Sequence, residues 1–176
     1  TRRSVQILLE ADPSKEHVRM VDYSGGNTAL HWASAHTIES NNQKNIVKLL
    51  LKADPAVKHI RMMTTDTEGS TALTIASGIG HIGVARLLLK ADPSTKHIRM
   101  TNNLGYTALV EASYHGFTNI VQVLLEADPS TEHIRIALGG GNTDLIEASV
   151  NNQVTTVKAL LKADPSTKHI RMINNL

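Results

Sequence analysis

Gly105-Tyr106-Thr107-Ala108-Leu109-Val110-Glu111-Ala112-Ser113-Tyr114-His115-Gly116-Phe117-Thr118-Asn119-Ile120-Val121-Gln122-Val123-Leu124-Leu125-Glu126-Ala127-Asp128-Pro129 is one structural sentence with its own punctuation. Gly105 follows Asn102-Asn103-Leu104, residues that favour a turn because Asn and Gly tolerate positive φ. The Thr107 hydroxyl can cap a helix, and Leu109, Ala112 and Ser113 fall at helical spacing, which predicts a short helix over 107–115. Gly116 is placed to end it as a C-terminal cap. A second helix is expected over 118–127, with Ile120, Val121, Leu124 and Leu125 as its apolar stripe. Asp128-Pro129 stops it, and the Asp is expected to cap a new short turn whose first residue is Pro. His133-Ile134-Arg135-Ile136 then alternates polar and apolar, as a short strand arm would.

The sentence is repeated. Ala-Asp-Pro recurs at 11–13, 53–55, 91–93, 127–129 and 163–165, each time before a His-hydrophobic-Arg triplet (His17 to Arg19, His59 to Arg61, His97 to Arg99, His133 to Arg135, His169 to Arg171). Successive Asp residues, from Asp12 to Asp164, are separated by 42, 38, 36 and 36 positions. Thr28, Thr71, Thr107 and Thr143 mark the same period. The distance from the Thr to the next Asp is 21 in the last three units and 26 in the first, so the first carries five extra residues within 37–43, expected to form a loop. A fixed period of this size is the signature of a solenoid whose units pack only on their neighbours. The boundaries that follow are a partial repeat at 1–22, repeats at 23–65, 66–101 and 102–137, and a last repeat with the start of another at 138–176. Val5, Leu8 and Leu9 belong to a second helix without its partner. Neither end carries an atypical polar unit, so the array is expected to be an excerpt of a longer one.

Composition narrows the function. A formal net charge of +2, with both signs interleaved, is not the footprint of a nucleic-acid binder. Aromatics are 3% of the chain, too few for base-stacking platforms. No apolar run approaches the ~20 residues that span a bilayer, and no signal-peptide pattern opens the chain. There is no Cys, hence no disulfide framework or thiolate metal site. An intracellular, cytoplasmic protein is expected.

The units resemble the ankyrin repeat. Gly69-Ser70-Thr71-Ala72-Leu73-Thr74-Ile75-Ala76 through Gly80-His81, with Leu87-Leu88-Leu89, follows that family's pattern, as does Gly26-Asn27-Thr28-Ala29-Leu30-His31-Trp32-Ala33. The resemblance covers nearly the whole chain. It implies an all-α repeat solenoid, a helix-turn-helix stack with β-hairpin-like arms. Three extra residues per unit follow the second helix and add a turn on the outer, convex side. The fourth unit departs furthest. Asn152 and Gln153 replace Gly-His, and Asp144 brings a charge to a semi-buried place, so its first helix is expected to be the least stable.

The resemblance further implies a non-enzymatic scaffold that binds a protein or peptide with its hairpin tips and the exposed, concave side of its first helices. Carried over, the tips are Ser24, Gly25 and Asn27; Thr67, Glu68 and Ser70; Asn103, Leu104 and Tyr106; and Gly139, Gly140 and Asn142. On the first helices the positions are Trp32, Ala35 and His36; Gly78 and Ile79; Glu111, Tyr114 and His115; and Glu147, Val150 and Asn151. Glu111 and Glu147 would form an acidic edge. Trp32 is either a groove anchor or a packing residue against Thr28 and the next helix. No cofactor, metal, nucleic acid or membrane is expected as a partner.

The chemically suggestive ladders have plainer explanations. Zinc ligands must lie ~2.0–2.3 Å from one ion, whereas packed helices are on the order of 10 Å apart. Equivalent histidines therefore cannot share a metal, and each is expected to bind its own unit's Asp or backbone. The Arg ladder could bind phosphate or acidic peptides, or pair with a nearby Asp. No nucleophile elbow or phosphate loop is present. A self-assembling filament through exposed stacking faces is the alternative function, and a regulatory array attached to an enzyme or channel is a third.

Overall fold

The computed structural model describes residues 15–36, 40–136 and 143–165. Among them are twelve helices: α1 (Lys15–Arg19), α2 (Ala29–Ala35), α3 (Asn41–Ala53), α4 (Val57–Ile60), α5 (Ala72–Gly78), α6 (Ile82–Ala91), α7 (Thr95–Ile98), α8 (Ala108–His115), α9 (Thr118–Ala127), α10 (Thr131–Ile134), α11 (Asp144–Val150) and α12 (Val154–Ala163). The first helices α2, α5, α8 and α11 stack in one row. The second helices α3, α6, α9 and α12 stack in another, and each first helix packs on the second helix that follows it. The fold is an all-α repeat solenoid.

The rows meet over a continuous apolar seam. Leu30, Leu73, Leu109 and Leu145 enter it from the first helices, Leu50, Leu88, Leu124 and Leu160 from the second, and Ile60, Ile98 and Ile134 from the outer turns; all are buried. Each such side chain contributes about 1.5–3 kcal/mol by leaving water. Ala76, Ala112 and Ala148 are fully buried, and their small size lets neighbouring first helices approach. In α12 the seam position held by Val84 and Ile120 is taken by Thr156, which is buried with its hydroxyl 2.9 Å from that of Thr118.

Local chemistry sets the helix ends. Thr28, Thr71 and Thr107 are N-caps whose hydroxyls accept from the backbone three residues on. Thr143 makes no such bond, and Asp144 is buried. Gly116 closes α8 in the left-handed region, at φ 75°. A Cβ there would lie 2.0 Å from Gln153 Oε1. Asn152, in the matching place after α11, adopts φ 58°, a conformation Asn tolerates better than most residues. The second helices end because Pro drives the residue before it out of the α region. Asp54, Asp92, Asp128 and Asp164 are the C-cap residues, outside the α region with ψ of 91°, 89°, 88° and 88°.

Three sequence expectations are corrected here. The His-hydrophobic-Arg triplet is not a strand arm. Each one described after Asp54, Asp92 or Asp128 lies at the end of a one-turn helix. A strand would send His and Ile to opposite faces, but His97 and Ile98 are both buried, as are His59 and Ile60, and His133 and Ile134. The recurring Asp does not N-cap this turn. Ser94 and Ser130 do, accepting from the His97 and His133 amides. The extra residues of the first unit are not wholly loop. Asn41, Asn42 and Gln43 extend α3 to 13 residues against 10 for α6, α9 and α12. Ser40 and Gln43 form a capping box there, and the Gln43 side chain donates to the Ala33 carbonyl. Residues 37–39, the expected N-terminal helix with Val5, Leu8 and Leu9, and the expected final arm lie outside the described residues.

The arms between outer turn and first helix are hairpin-like turns. Backbone bonds close them from Asp22 to Asn27, Thr64 to Ser70 and Asn102 to Tyr106. One isolated bridge, Met63 with Thr71, is their only β feature among the described residues.

Candidate functional site

The outer turns hold the Arg and His ladders in structural pairings. Arg61 Nε donates to Asp92 Oδ2 at 2.6 Å, and its terminal nitrogen reaches Asp92 Oδ1 at 3.1 Å and Ser94 Oγ at 2.6 Å. Arg99 repeats this with Asp128 and Ser130, and adds Glu132 at 3.1 Å. Arg135 grips Asp164 the same way, and Arg19 grips Asp54 through two nitrogens. Every such fork joins one unit to the next. Burial alone would push the Asp92 and Asp128 carboxyls up. The Arg and Ser hydrogen bonds outweigh it and hold both at about 2. Each His Nδ1 donates to its own unit's Asp carbonyl, at 3.1 Å for His59, 2.9 Å for His97 and 3.3 Å for His133. Burial holds His97 and His133 below the usual imidazole range, in the neutral form. Among the described residues no cluster of His, Asp or Glu could hold a metal.

The opposite side of the stack is less uniform. The four Thr-led helices bring Trp32, Ile75, Glu111 and Glu147 to one register, followed by Ala35, Gly78, Tyr114 and Val150, then His36, Ile79, His115 and Asn151. Trp32 is 57% exposed, Val150 70%, Ile79 41% and Tyr114 37%. Ala35, His36 and His115 are exposed, whereas Gly78 and Asn151 are half-buried. Glu147 is buried, so the acidic edge does not extend to it as surface. Of the arm residues, Ser24, Thr67, Glu68, Asn103 and Leu104 are exposed, Gly25, Asn27 and Tyr106 half-buried, and Ser70 buried. Gly139, Gly140 and Asn142 lie outside the described residues.

The arms are clasped tip to tip. The Gly25 carbonyl accepts from the amides of Thr65 and Asp66, and the Glu68 carbonyl accepts from that of Asn103. Within each tip a side-chain oxygen organises the turn: Asp22 Oδ1 accepts from Gly25 and Asn27, Asp66 Oδ1 from Glu68 and Gly69, and Asn102 Oδ1 from Leu104 and Tyr106. Sequence reasoning read Asn102 as part of a turn signal but gave none of the three residues this role, and passed over Asp22 and Asp66. Their signal was an Asp or Asn standing three or four positions before each turn Gly. Asp22 also fixes Trp32, whose indole Nε1 donates to Asp22 Oδ2 at 2.7 Å. The Asn27 amide, foremost, and the Trp32 indole hold the Asp22 carboxyl below its usual range.

Two clefts open on this side. One, of about 490 Å³, brings together Trp32 and His36 with Ala29, Ala33, Ile46 and Leu50. The other, of about 340 Å³, lies between units and gathers much of the expected set: Glu68, Ser70, Gly78, Ile79, Leu104, Tyr106, Glu111, Tyr114 and His115. Glu111 Oε1 accepts from Asn102 Nδ2 at 3.3 Å, and its other oxygen is 4.0 Å from His115 Nε2. Burial, and then the Glu68 charge, push the Glu111 carboxyl up to about 7 against the Asn102 bond. The Tyr114 and His115 rings meet edge to face at 4.9 Å.

A family model described as ankyrin repeats (3 copies) matches residues 38–135 and, overlapping them, 97–169. No curated protein matches the chain at a significant level.

Proposed function

The chain belongs to the ankyrin-repeat family, whose repeats are protein–protein interaction modules, and on that premise we propose that it is a non-enzymatic scaffold that binds a protein with its first-helix face and clasped arm tips. The carrying observation is the cleft between the second and third helix pairs. Large side chains stand exposed there, Ile79 at the end of α5, Tyr114 in α8 and Leu104 on an arm, and the arm backbones are already fixed by Asp66 and Asn102. Pre-ordered tips lower the entropy cost of binding, and exposed aromatics with apolar neighbours are the usual anchors of an interface. Among the described residues no helix is long and apolar enough to cross a membrane.

The test is partner capture with Tyr106→Ala and Tyr114→Ala. Each is expected to weaken binding by about 2 kcal/mol, the scale of a central hot-spot Tyr, at unchanged helicity. Full affinity in both variants moves the site off this face.

A second reading rests on the last described pair. Leu145, Ile146, Val150, Val157 and Leu161 line an apolar groove of about 370 Å³, a surface suited to stacking on a second copy. Light scattering that grows with protein concentration supports it; a strictly monomeric chain rules it out.

A further inference from the structure

The smaller cleft has a composition that selects its occupant. Its walls are Ile75, Ile79, Leu104 and the two rings Tyr106 and Tyr114, while its titratable side chains besides these rings are the carboxylates Glu68 and Glu111 and the imidazole of His115, whose Nε2 lies 4.0 Å from Glu111 Oε2. The whole chain has a formal charge of +2, yet no Lys or Arg lines this cleft. Among the described residues neither carboxylate is paired with one. The Trp32 cleft, by contrast, has no carboxylate in its lining.

We propose that the cleft between the second and third helix pairs receives a basic side chain, arginine or lysine, from an extended segment of the protein partner. The aliphatic stem lies against Ile75, Ile79 and Leu104, and the cation sits beside the Tyr106 and Tyr114 rings, facing Glu68 and Glu111. This rests on the docking-face assignment above and adds the chemistry of what docks.

Elimination among ligand classes supports the choice. An acidic group would face two carboxylates. A purely aliphatic one would take both carboxylates further from water and offer them no hydrogen bond, which is costly. A small polar group would leave the exposed faces of Ile79 and Leu104 unused. Only a long side chain with a cationic head satisfies both halves of the cleft, since Lys and Arg lay their stems on apolar surface, their cations are attracted to aromatic faces, and carboxylates hydrogen-bond them strongly. Glu111 is already prepared for such a partner. Burial has removed part of its water, and a Cβ at Gly78 would lie only 3.2 Å from Glu111 Oε2, so Gly78 leaves the carboxylate room.

The experiment titrates the isotopically labelled 176-residue chain with N-acetyl-glycyl-X-glycine amides at about pH 8, where Glu111 is ionised. X is arginine, lysine, norleucine or glutamate. Saturable shifts are expected at Gly78, Leu104, Tyr106 and Glu111 with arginine and lysine, roughly tenfold weaker with norleucine, and none with glutamate. Glu68→Gln, at an exposed position, and Glu111→Gln, which keeps an acceptor for Asn102, should each weaken arginine binding several-fold with unchanged circular dichroism. Equal binding of norleucine and arginine overturns the cation while leaving the docking face standing. So does capture of a partner that needs Tyr106 and Tyr114 but is indifferent to both Gln substitutions. No saturable shift with any peptide, or shifts confined to another surface, overturns the proposal outright.

Discussion

The outer turn and the first-helix face recur with the same period, yet one is nearly invariant along the chain and the other changes from unit to unit. The difference is mechanical. In the outer turn each Arg has its partner in the adjacent unit: Arg61 must meet Asp92 and Ser94, and Arg99 must meet Asp128 and Ser130. A change in one copy leaves a buried charge in the next, so the copies stay alike. The first-helix face is held from behind, by Leu73, Ala76, Leu109 and Ala112 in the seam, and its outward positions have no such obligation. Trp32, Ile75, Glu111 and Glu147 can therefore differ at one register. One side of each repeat keeps the array together and the other is left free to be specific.

The largest effect that tests this division is Asp92→Ala. It strands the partly buried Arg61 and removes the acceptor of the Ser94 amide and hydroxyl. A loss of about 2–3 kcal/mol in denaturant unfolding is expected, with the first-helix face still able to bind. A variant that melts like the parent would show that the ladder does not join the units.

Acid and base should then act on opposite sides. Glu111 has its carboxyl raised to about 7 in the folded chain from an ordinary 4.5. Folding is unpenalised by this group below its unfolded value, weakens as pH rises between the two, and levels off above about 7. The change is about 1–2 kcal/mol after allowing for the water that still reaches the carboxylate. Glu111→Gln should abolish that slope. Asp92 and Asp128, lowered from 3.8 to about 2, work the other way. Their contribution is complete above the unfolded value and is lost as pH falls towards 2, at about 1 kcal/mol each after the same allowance. Unfolding curves at pH values across both windows measure the two slopes, and a single common slope would erase the contrast.

The smallest effect repairs a gap in the ladder. Ala56 stands where Ser94 and Ser130 stand in later units, and α4 has no side-chain cap. Ala56→Ser should add that cap and a hydroxyl within reach of Arg19. A gain of about 0.5–1 kcal/mol is expected; no gain would mean that the first outer turn differs from its successors.

Much of this was legible in the residues. The 107–115 and 118–127 helices, the Gly116 cap and the end of each second helix at Asp-Pro follow from spacing, hydroxyls and proline sterics, all of which act within a few residues. The outer turn misled for the same reason. Read locally, His133-Ile134-Arg135-Ile136 alternates like a strand. What coils it is the burial of His and Ile together, the His bond to the Asp carbonyl and the pull of Arg on the next unit's Asp. The last of these lies 29 residues away, as Arg135 to Asp164.

The sequence by itself determined that this is a stacked repeat, where the two long helices of each unit lie, and that its outer positions recur while its face varies. Periodicity carries that information because every unit buries the same stripe against the same neighbour. Only the tertiary structure decided which partner each recurrent residue takes, that Ser rather than Asp caps the outer turn, that Glu147 is buried while Glu111 opens on a cleft, and that Asp22, Asp66 and Asn102 hold the tips. The inter-unit partner choices depend on the offset between adjacent units, which brings together atoms 29 to 47 residues apart, whereas the Ser caps and the tip bonds are local, within five residues. No local preference encodes that offset; it is fixed only when the stack closes and each buried polar group must find a partner.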